Sequence, residues 1–450
     1  MSKRTRPLSL MSLAVMAMAI TACGSTPLVN ATPNPAASSG DIKLVTLRVG
    51  PSVSSQALSA ALPGAKVLMF DHTTSRAVMS VPVTTASTLS SAHMSTQALG
   101  SLDAGVLAVE DDAELRVQGD DPEAQTLGLT TWAGGLTTWA GGAITWAGGA
   151  ITWAGGTSFL NTSDLSGAAA YWNKLGIATG QKLAPELGTG VTVAVIDTGI
   201  DLNHPLLQGR LDTANDWDFL GNDGAPAEQN PLGATKYGHG TAVAGIILQI
   251  APNAKIQAYR ALDPYGIGSL SNVTAAVNKA VMNGADVINL SLGSTSNSVA
   301  LNTAIAAALA KGVLVVNSSG NSGVEGILYP GKNLGTTQFP MTSGLISVGS
   351  VTMDLKKSKF STYGKNLKIT APGEFILSTY PDSRIVKVSG TSFAAPAVSG
   401  ALALALSTGQ DSRAVNDALT ATTTPNADPY VNAELGAGTL NVGALVHKFR

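Results

Sequence analysis

The chain has 450 residues, 44% of them hydrophobic, enough for two or three domains that each bury a core, which excludes a disordered protein. Only 12% are charged, against about 25% in an average protein, and the formal net charge of −2 leaves no basic footprint for nucleic acid. Charge singles out no partner.

The chain opens with Lys3, Arg4 and Arg6, then a short apolar run and small residues before Cys23, the layout of a secretory signal over residues 1–22. The run is too short to span a membrane. Ile20-Thr21-Ala22-Cys23 resembles the bacterial lipobox, whose cysteine is acylated and becomes the first residue of the exported protein; cleavage after Ala17-Met18-Ala19 is the plainer alternative. Both imply export, to the cell envelope or beyond, with a lipid on Cys23 as the only membrane attachment. Cys23 is the single cysteine, so no internal disulfide forms.

Residues 23–40, rich in Pro, Ser, Asn and Gly, read as a tether. Across residues 41–118 the pattern predicts a strand in "IKLVTLRVG", a helix in "SSQALSAAL", strands in "AKVLMF" and "RAVMSVP", a helix in "TASTLSSAHMSTQAL" and one final strand in "GVLAVEDDAELRV". That order is the ferredoxin-like α+β pattern. His72 and His93 have no ligand-like spacing and read as surface residues.

A linker over residues 119–166 holds four near-identical heptads, "LTTWAGGLTTWAGGAITWAGGAITWAGG", from Leu129 to Gly156. Each ends in Gly-Gly, a two-residue hairpin signal. Pairing across Gly134-Gly135 would set Trp132 opposite Thr137 and Thr130 opposite Trp139. Alternation then gathers Trp132, Trp139, Ile144, Trp146, Ile151 and Trp153 on one apolar face. A glycine-rich spacer is the alternative reading.

From Gly167 to the end, apolar runs such as "VTVAVID", "KIQAYRAL", "DVINLSLG" and "GVLVVNSSG" alternate with helical segments, predicting a doubly wound α/β domain with a mainly parallel sheet. Ligands of such sheets bind beyond the carboxyl ends of the strands. Asp197 ends the first strand in "VAVIDTGID", His239 opens a helix in "YGHGTAVAGIILQI", and Ser392 stands at the start of another in "SGTSFAAPAVSGALALAL". Serine needs a base to take its proton, and the base needs a carboxylate to hold its tautomer. Asn321 and the Ser392 backbone N–H could supply the oxyanion donors. A lone Asp or Ser at such a place is more often a cap; three together in long motifs point to chemistry. The absence of G-x-S-x-G argues against the α/β-hydrolase elbow.

These motifs, with "NLSLG", "FSTYGKNLKITAPG" and "GAGTLNVGALV", resemble the subtilisin-like serine proteases over nearly all of residues 167–450. The resemblance implies an Asp197-His239-Ser392 triad with Asn321 as oxyanion donor. It further implies a substrate cleft with Ser291, Leu292 and Gly293 on one wall and Gly266 to Gly268 on the other. The N-terminal module would be an inhibitory propeptide, its acids Glu110, Asp111, Asp112 and Glu114 facing helix N-termini. Ala242 and Ala397 stand where the family commonly has histidines, Lys236 and Tyr237 replace residues that are often acidic or polar, and Ser322 to Gln338 looks long beside the specificity pocket. His204 resembles a turn residue and His447 lies in the tail. No cofactor is needed for the chemistry; structural calcium fits the family, with Asp212, Asp216, Asp218 and Asp223 the available oxygen ligands but no EF-hand spacing.

The expectation is an exported serine endopeptidase, made as a self-processing zymogen, that acts on proteins or peptides through an acyl-enzyme. Its own propeptide would be an intramolecular inhibitor, with self-cleavage between Val117 and Gly167. The alternative is a noncatalytic cell-surface binding protein that uses the tryptophan face on an inert protease fold.

Overall fold

The computed structural model describes residues 41–87, 89, 99, 102–117, 143–146, 149–152, 169–231, 234–428 and 434–450. The expected signal segment with Cys23, the expected tether, His93 and most of the second expected helix lie outside the described residues. At the N-terminal side, β1 (Ile42–Val49), α1 (Ser55–Ala61), β2 (Lys66–Asp71), β3 (Arg76–Pro82), α2 (Val83–Ala86) and β4 (Ala104–Asp111) follow the expected order. The sheet runs β2-β3-β1-β4, with every pair antiparallel. Strand β1 is apolar on both faces for a reason. Val45, Leu47 and Val49 pack with Leu58 of α1 in the module's own core, whereas Leu44 joins Leu68, Met69 and Val78 in a core shared with the larger domain.

The expected final strand is two strands. After β4 the chain turns at Asp112 and Ala113, and β5 (Glu114–Arg116) leaves the four-stranded sheet to pair with the larger domain. The heptads contribute a hairpin of β6 (Ala143–Trp146) and β7 (Gly149–Thr152). Its register is two residues away from that of a Gly-Gly turn: Trp146 lies opposite Gly149 and Ile144 opposite Ile151, where a turn at Gly148-Gly149 would set Trp146 opposite Ile151. Trp132, Trp139 and Trp153 lie outside the described residues.

Helices α3 (Ala169–Lys174) and α4 (Ile177–Leu183) lead into the larger domain. Its strands are β8 (Thr192–Asp197), β9 (Trp217–Asp218), β10 (Lys255–Arg260), β12 (Val287–Leu290), β13 (Leu314–Ser318), β14 (Leu345–Val351) and β15 (Ile369–Pro372), with the short β11 (Ile267–Ser269) outside the main sheet. The seven-stranded sheet has the order β15-β14-β13-β12-β8-β10-β9, and its neighbours are parallel. Each of its central strands is buried along almost its whole length, as the continuous apolar runs require.

Helices cover both faces. On one side α5 (His239–Ile250) and α8 (Thr391–Leu406) pack together, apolar nearly all round because they lie between the sheet and outer elements. Among those outer elements is the hairpin of β16 (Ile376–Tyr380) and β17 (Arg384–Val388). On the other side α6 (Leu270–Met282) and α7 (Val299–Ala310) carry the four-stranded sheet on their outer surface.

Candidate active site

The chain leaves β8 toward β10 on one side of the sheet and later returns to β12 on the other, so the order reverses at β8. A crevice opens at such a point, beyond the carboxyl ends of the strands. Asp197 is the last residue of β8 and Ser291 the first after β12. His239 begins α5, whose approach depends on its neighbour Gly240: a Cβ there would lie 2.1 Å from the Gly199 carbonyl oxygen. Only glycine allows that contact.

His239 Nδ1 and Asp197 Oδ1 are 2.7 Å apart, both side chains sealed from solvent. The Thr198 N–H donates to the same Oδ1 at 2.7 Å. A carboxylate at Nδ1 fixes the proton there and leaves Nε2 as the basic nitrogen. Glu228 stands behind this pair, a residue that nothing in its sequence surroundings singles out. Its Oε1 accepts from the Thr198 hydroxyl, the Thr241 N–H and the Thr241 hydroxyl, each at 3.2 Å. Burial, followed by the Asp197 charge, pushes its pKa up to about 8.

Ser392 is the second residue of α8, where its N–H has no carbonyl four residues back within the helix. Gly390 precedes the helix at φ 152°, ψ 156°, a conformation glycine alone adopts readily. Pro396 lies four residues beyond Ser392 and lacks an N–H, so the Ser392 carbonyl loses its helical donor. The Ser291 hydroxyl takes that place at 2.7 Å, and Ser392 Oγ donates back to the Ser291 carbonyl at 3.2 Å. The proline thus explains why a serine at 291 is locked beside Ser392. The adjoining Phe393 ring lies 5.1 Å from the His239 ring, centroid to centroid, which brings the start of α8 to the start of α5.

Asn321 follows β13. Its Oδ1 accepts from the Thr391 N–H and the Thr391 hydroxyl, both at 2.9 Å, which commits the other end of the amide, Nδ2, to the donor role. Ser291, Leu292 and Gly293 are buried on one side of the cleft, and Gly266 and Gly268 are buried on the other. Between them runs the segment from Glu114 to Val117. Arg116 exchanges both backbone hydrogen bonds with Gly293, at 3.1 and 3.0 Å, while Val117 N–H donates to the Gly266 carbonyl at 2.8 Å.

The remaining sequence candidates separate clearly. His204 is buried, accepts from the Leu206 N–H at Nδ1 and donates from Nε2 to the Arg384 carbonyl at 3.1 Å, a turn residue held neutral by burial. His72 and His447 are exposed. Ala242 and Ala397 fill the apolar contact region around α5 and α8, where an imidazole would need partners. Lys236 is buried behind the cleft, and Tyr237 meets the Tyr380 ring edge-on at 5.7 Å. Within the segment after Ser322, Tyr329 pairs by its backbone with Ser294, beside the Gly293 wall.

Of the four N-terminal acids, two face helix N-termini. Glu110 accepts from the Ser298 hydroxyl, the Val299 N–H at 2.9 Å and the Ala300 N–H at 3.3 Å, completing the cap of α7. Asp112 accepts from the Ser271 N–H and hydroxyl, both at 2.7 Å, at the first turn of α6, and burial raises its pKa. Asp111 instead pairs with Lys43, and Glu114 with Arg116, inside their own module.

The four aspartates considered for calcium do not converge. Asp212 holds Asn215 and Gln257, Asp216 takes the Ala258 N–H, Asp218 pairs with Arg260, and Asp223 caps its own turn. Among the described residues no group of three acids, histidines or cysteines is arranged to hold a metal.

The subtilase family model matches residues 188–438, more than half of the chain. The protein belongs to the subtilase family. Thermitase from Thermoactinomyces vulgaris is 37% identical over 52% of this chain and 80% of its own length. Subtilisin DY from Bacillus licheniformis is 35% identical over 57% of this chain and 91% of its own length. A solved structure described as a cold adapted subtilisin-like serine proteinase aligns with a TM-score of 0.49 at 31% identity, covering 57% of this chain and 89% of that one. The subtilase is a serine endopeptidase.

Proposed function

We propose that this subtilase hydrolyses protein peptide bonds by attack of Ser392 on the substrate carbonyl. His239 Nε2 takes the serine proton and returns it to the leaving amine, Asp197 holds the tautomer and stabilises the imidazolium, and Asn321 Nδ2 with the Ser392 N–H binds the oxyanion. The observation that carries this reading is the buried 2.7 Å contact between His239 Nδ1 and Asp197 Oδ1 at the reversal point of the sheet. Substrate backbone would pair between Gly293 and the Gly266–Gly268 edge.

We further propose that the chain is exported as a zymogen, with residues 41–118 acting as an intramolecular inhibitor. The pairing of Glu114–Val117 across both cleft walls supports this, because a substrate needs the same backbone groups. The basic, apolar and small-residue order before Cys23 supports export, with acylation of Cys23 as the initial anchor. Incubating the purified protein with casein, with and without a serine-directed inhibitor, tests the enzymatic reading. Inhibitor-sensitive hydrolysis is expected, and casein left intact after the N-terminal module has been removed would refute it.

A further inference from the structure

Strands β12 and β13 are parallel neighbours whose last pair is Leu290 and Asn317. Beyond that pair the two chains run on as residues 291–293 and 319–321, and they no longer pair with each other. The start of α8 bridges the gap between them. Ser392 exchanges hydrogen bonds with Ser291 on one side, and Thr391 is bonded to Asn321 and to the Gly320 N–H on the other.

The same gap is spanned a second time by Leu328 and Tyr329. Leu328 N–H donates to the Ser319 carbonyl at 3.0 Å, and Tyr329 exchanges both backbone bonds with Ser294, at 2.9 and 3.1 Å. The Leu328 carbonyl accepts from the Lys332 N–H at 2.8 Å, so its backbone is anchored through both polar groups. Side chains of consecutive extended residues point to opposite sides. Ile327 packs with Leu367 and Leu435, whereas Leu328, although only 6% exposed, joins none of the apolar clusters of the described residues. Its side chain lies against Gly293 instead. A Cβ at 293 would come 2.8 Å from Leu328 Cδ1 and 2.9 Å from Leu328 Cβ, so the leucine already occupies the space beside that cleft wall.

A carbonyl attacked by Ser392 Oγ, with its oxygen on Asn321 Nδ2, lies at the α8 end of this gap. The side chain of the same substrate residue branches from the next carbon and has the space between 291–293 and 319–321 as its place. Leu328 limits how far it can reach. Resting on the reading of Ser392 as nucleophile and Asn321 as oxyanion donor, we propose that Leu328 is a specificity-determining residue that restricts the position before the cleaved bond to short side chains, such as Ala or Ser.

An aromatic ring at that position would have to displace a leucine whose backbone cannot swing away. An acidic or basic side chain fares no better, because Ser291, Leu292, Gly293, Ser319, Gly320 and Leu328 offer it no opposite charge and are all buried. The substrate class is therefore a polypeptide cut after a small, uncharged residue.

Two peptides that differ only in Ala or Phe before the cleaved bond test this, with kcat/KM measured on the full-length chain after maturation. A single methylene in an apolar pocket is worth about 10–200-fold, so the Ala peptide should be favoured at least tenfold. Leu328→Ala should shift the ratio toward Phe by at least tenfold, and Leu328→Val by less. A merely structural role would lower both rates together and leave the ratio where it was. A Phe peptide cut as well as or better than the Ala peptide by the unmutated enzyme overturns the proposal, a result that does not depend on any variant folding. An unchanged ratio in active Leu328→Ala or Leu328→Val enzyme overturns it too. Ser392→Ala separates the two levels. If it cuts either peptide as fast as the unmutated chain, the nucleophile reading fails and takes this proposal with it, whereas Ser392-dependent cutting that favours Phe overturns the role of Leu328 alone.

Discussion

The catalytic domain and the N-terminal module are held by different physics. Around the Asp197–His239 contact, β8, β12, β13, α5 and α8 form an interior that is apolar almost without interruption, in which Asp197 bonds to His239 and the Thr198 N–H, and Asn321 to Thr391. The module also shares apolar core, through Leu44, Leu68, Met69 and Val78. At the cleft, however, its hold depends on one short strand, Leu115, and the carboxylates of Glu110 and Asp112 on two helix ends. Cavities and unpaired charges make the first kind of structure hard to alter without unfolding. The second kind loosens by single contacts, which suits the proposed role of a releasable inhibitor.

The largest effect on this contrast belongs to the proposed oxyanion donor. Asn321→Ala should lower kcat by about 10²–10³-fold with little change in KM, the size established for the oxyanion asparagine of a subtilisin. Steady-state kinetics on a peptide substrate after maturation checks it. An effect confined to KM would move Asn321 from catalysis to ground-state binding.

Leu115→Ala comes next, because it deletes a buried side chain at the cleft without touching the proposed triad. A cost of about 2 kcal/mol, the low end for buried leucine, corresponds to about thirtyfold weaker hold on the cleft. The lag before full activity in a full-length preparation should shorten accordingly. An unchanged lag would mean that strand pairing alone holds the segment.

Glu110→Ala removes the acceptor shared by Ser298, Val299 and Ala300 at the start of α7. Loss of such a cap costs about 1 kcal/mol, near fivefold in an equilibrium, and should shorten the same lag by less than Leu115→Ala does. Activity of the fully matured enzyme should not change. Reversal of that order would show that the caps, rather than the apolar contact, dominate docking.

The last change is a slope rather than a shift. Glu228 has its pKa raised from 4.5 to about 8, so ionisation is opposed in the folded chain. The stability conferred by the neutral acid is complete below about pH 4.5 and is lost as pH rises through about 8. In an uncleaved Ser392→Ala background, Glu228→Gln should therefore flatten the fall in Tm between pH 5 and 8. Parallel curves for the two proteins would show that Glu228 does not titrate in this range.

How much of this was legible beforehand depends on whether chemistry or geometry fixed the residue. The residues proposed as acid, base, nucleophile and amide donor, Asp197, His239, Ser392 and Asn321, were picked out in the sequence because such roles are defined by functional group and these residues sit in long motifs at strand and helix ends. The parallel sheet was legible through apolar runs without alternation, and the N-terminal sheet through the order of its elements.

What the pattern could not carry is where a strand stops belonging to one sheet. "GVLAVEDDAELRV" reads as a single strand until Asp112 caps α6 and turns the chain into the cleft. The Ser291–Ser392 lock depends on a carbonyl that Pro396 leaves without its helical donor, a link across distant segments that no local pattern announces. The aspartates near 212–223 looked like metal ligands by type, yet each one is spent on a separate backbone or side-chain partner. In the heptads a hairpin was expected from the glycines, but its register is two residues away from the pairing a Gly-Gly turn would set.

Covalent trapping of the nucleophile tests the central claim most directly. The matured enzyme, treated with a sulfonyl fluoride that reacts with activated serine, should gain one adduct and lose peptidase activity in proportion. Peptide mapping should locate that adduct on Ser392, and Asp197→Asn, which leaves the hydroxyl in place but disturbs the His239 tautomer, should slow the labelling sharply. An adduct on another residue that tracks the loss of activity, or full activity retained with Ser392 modified, would contradict the account.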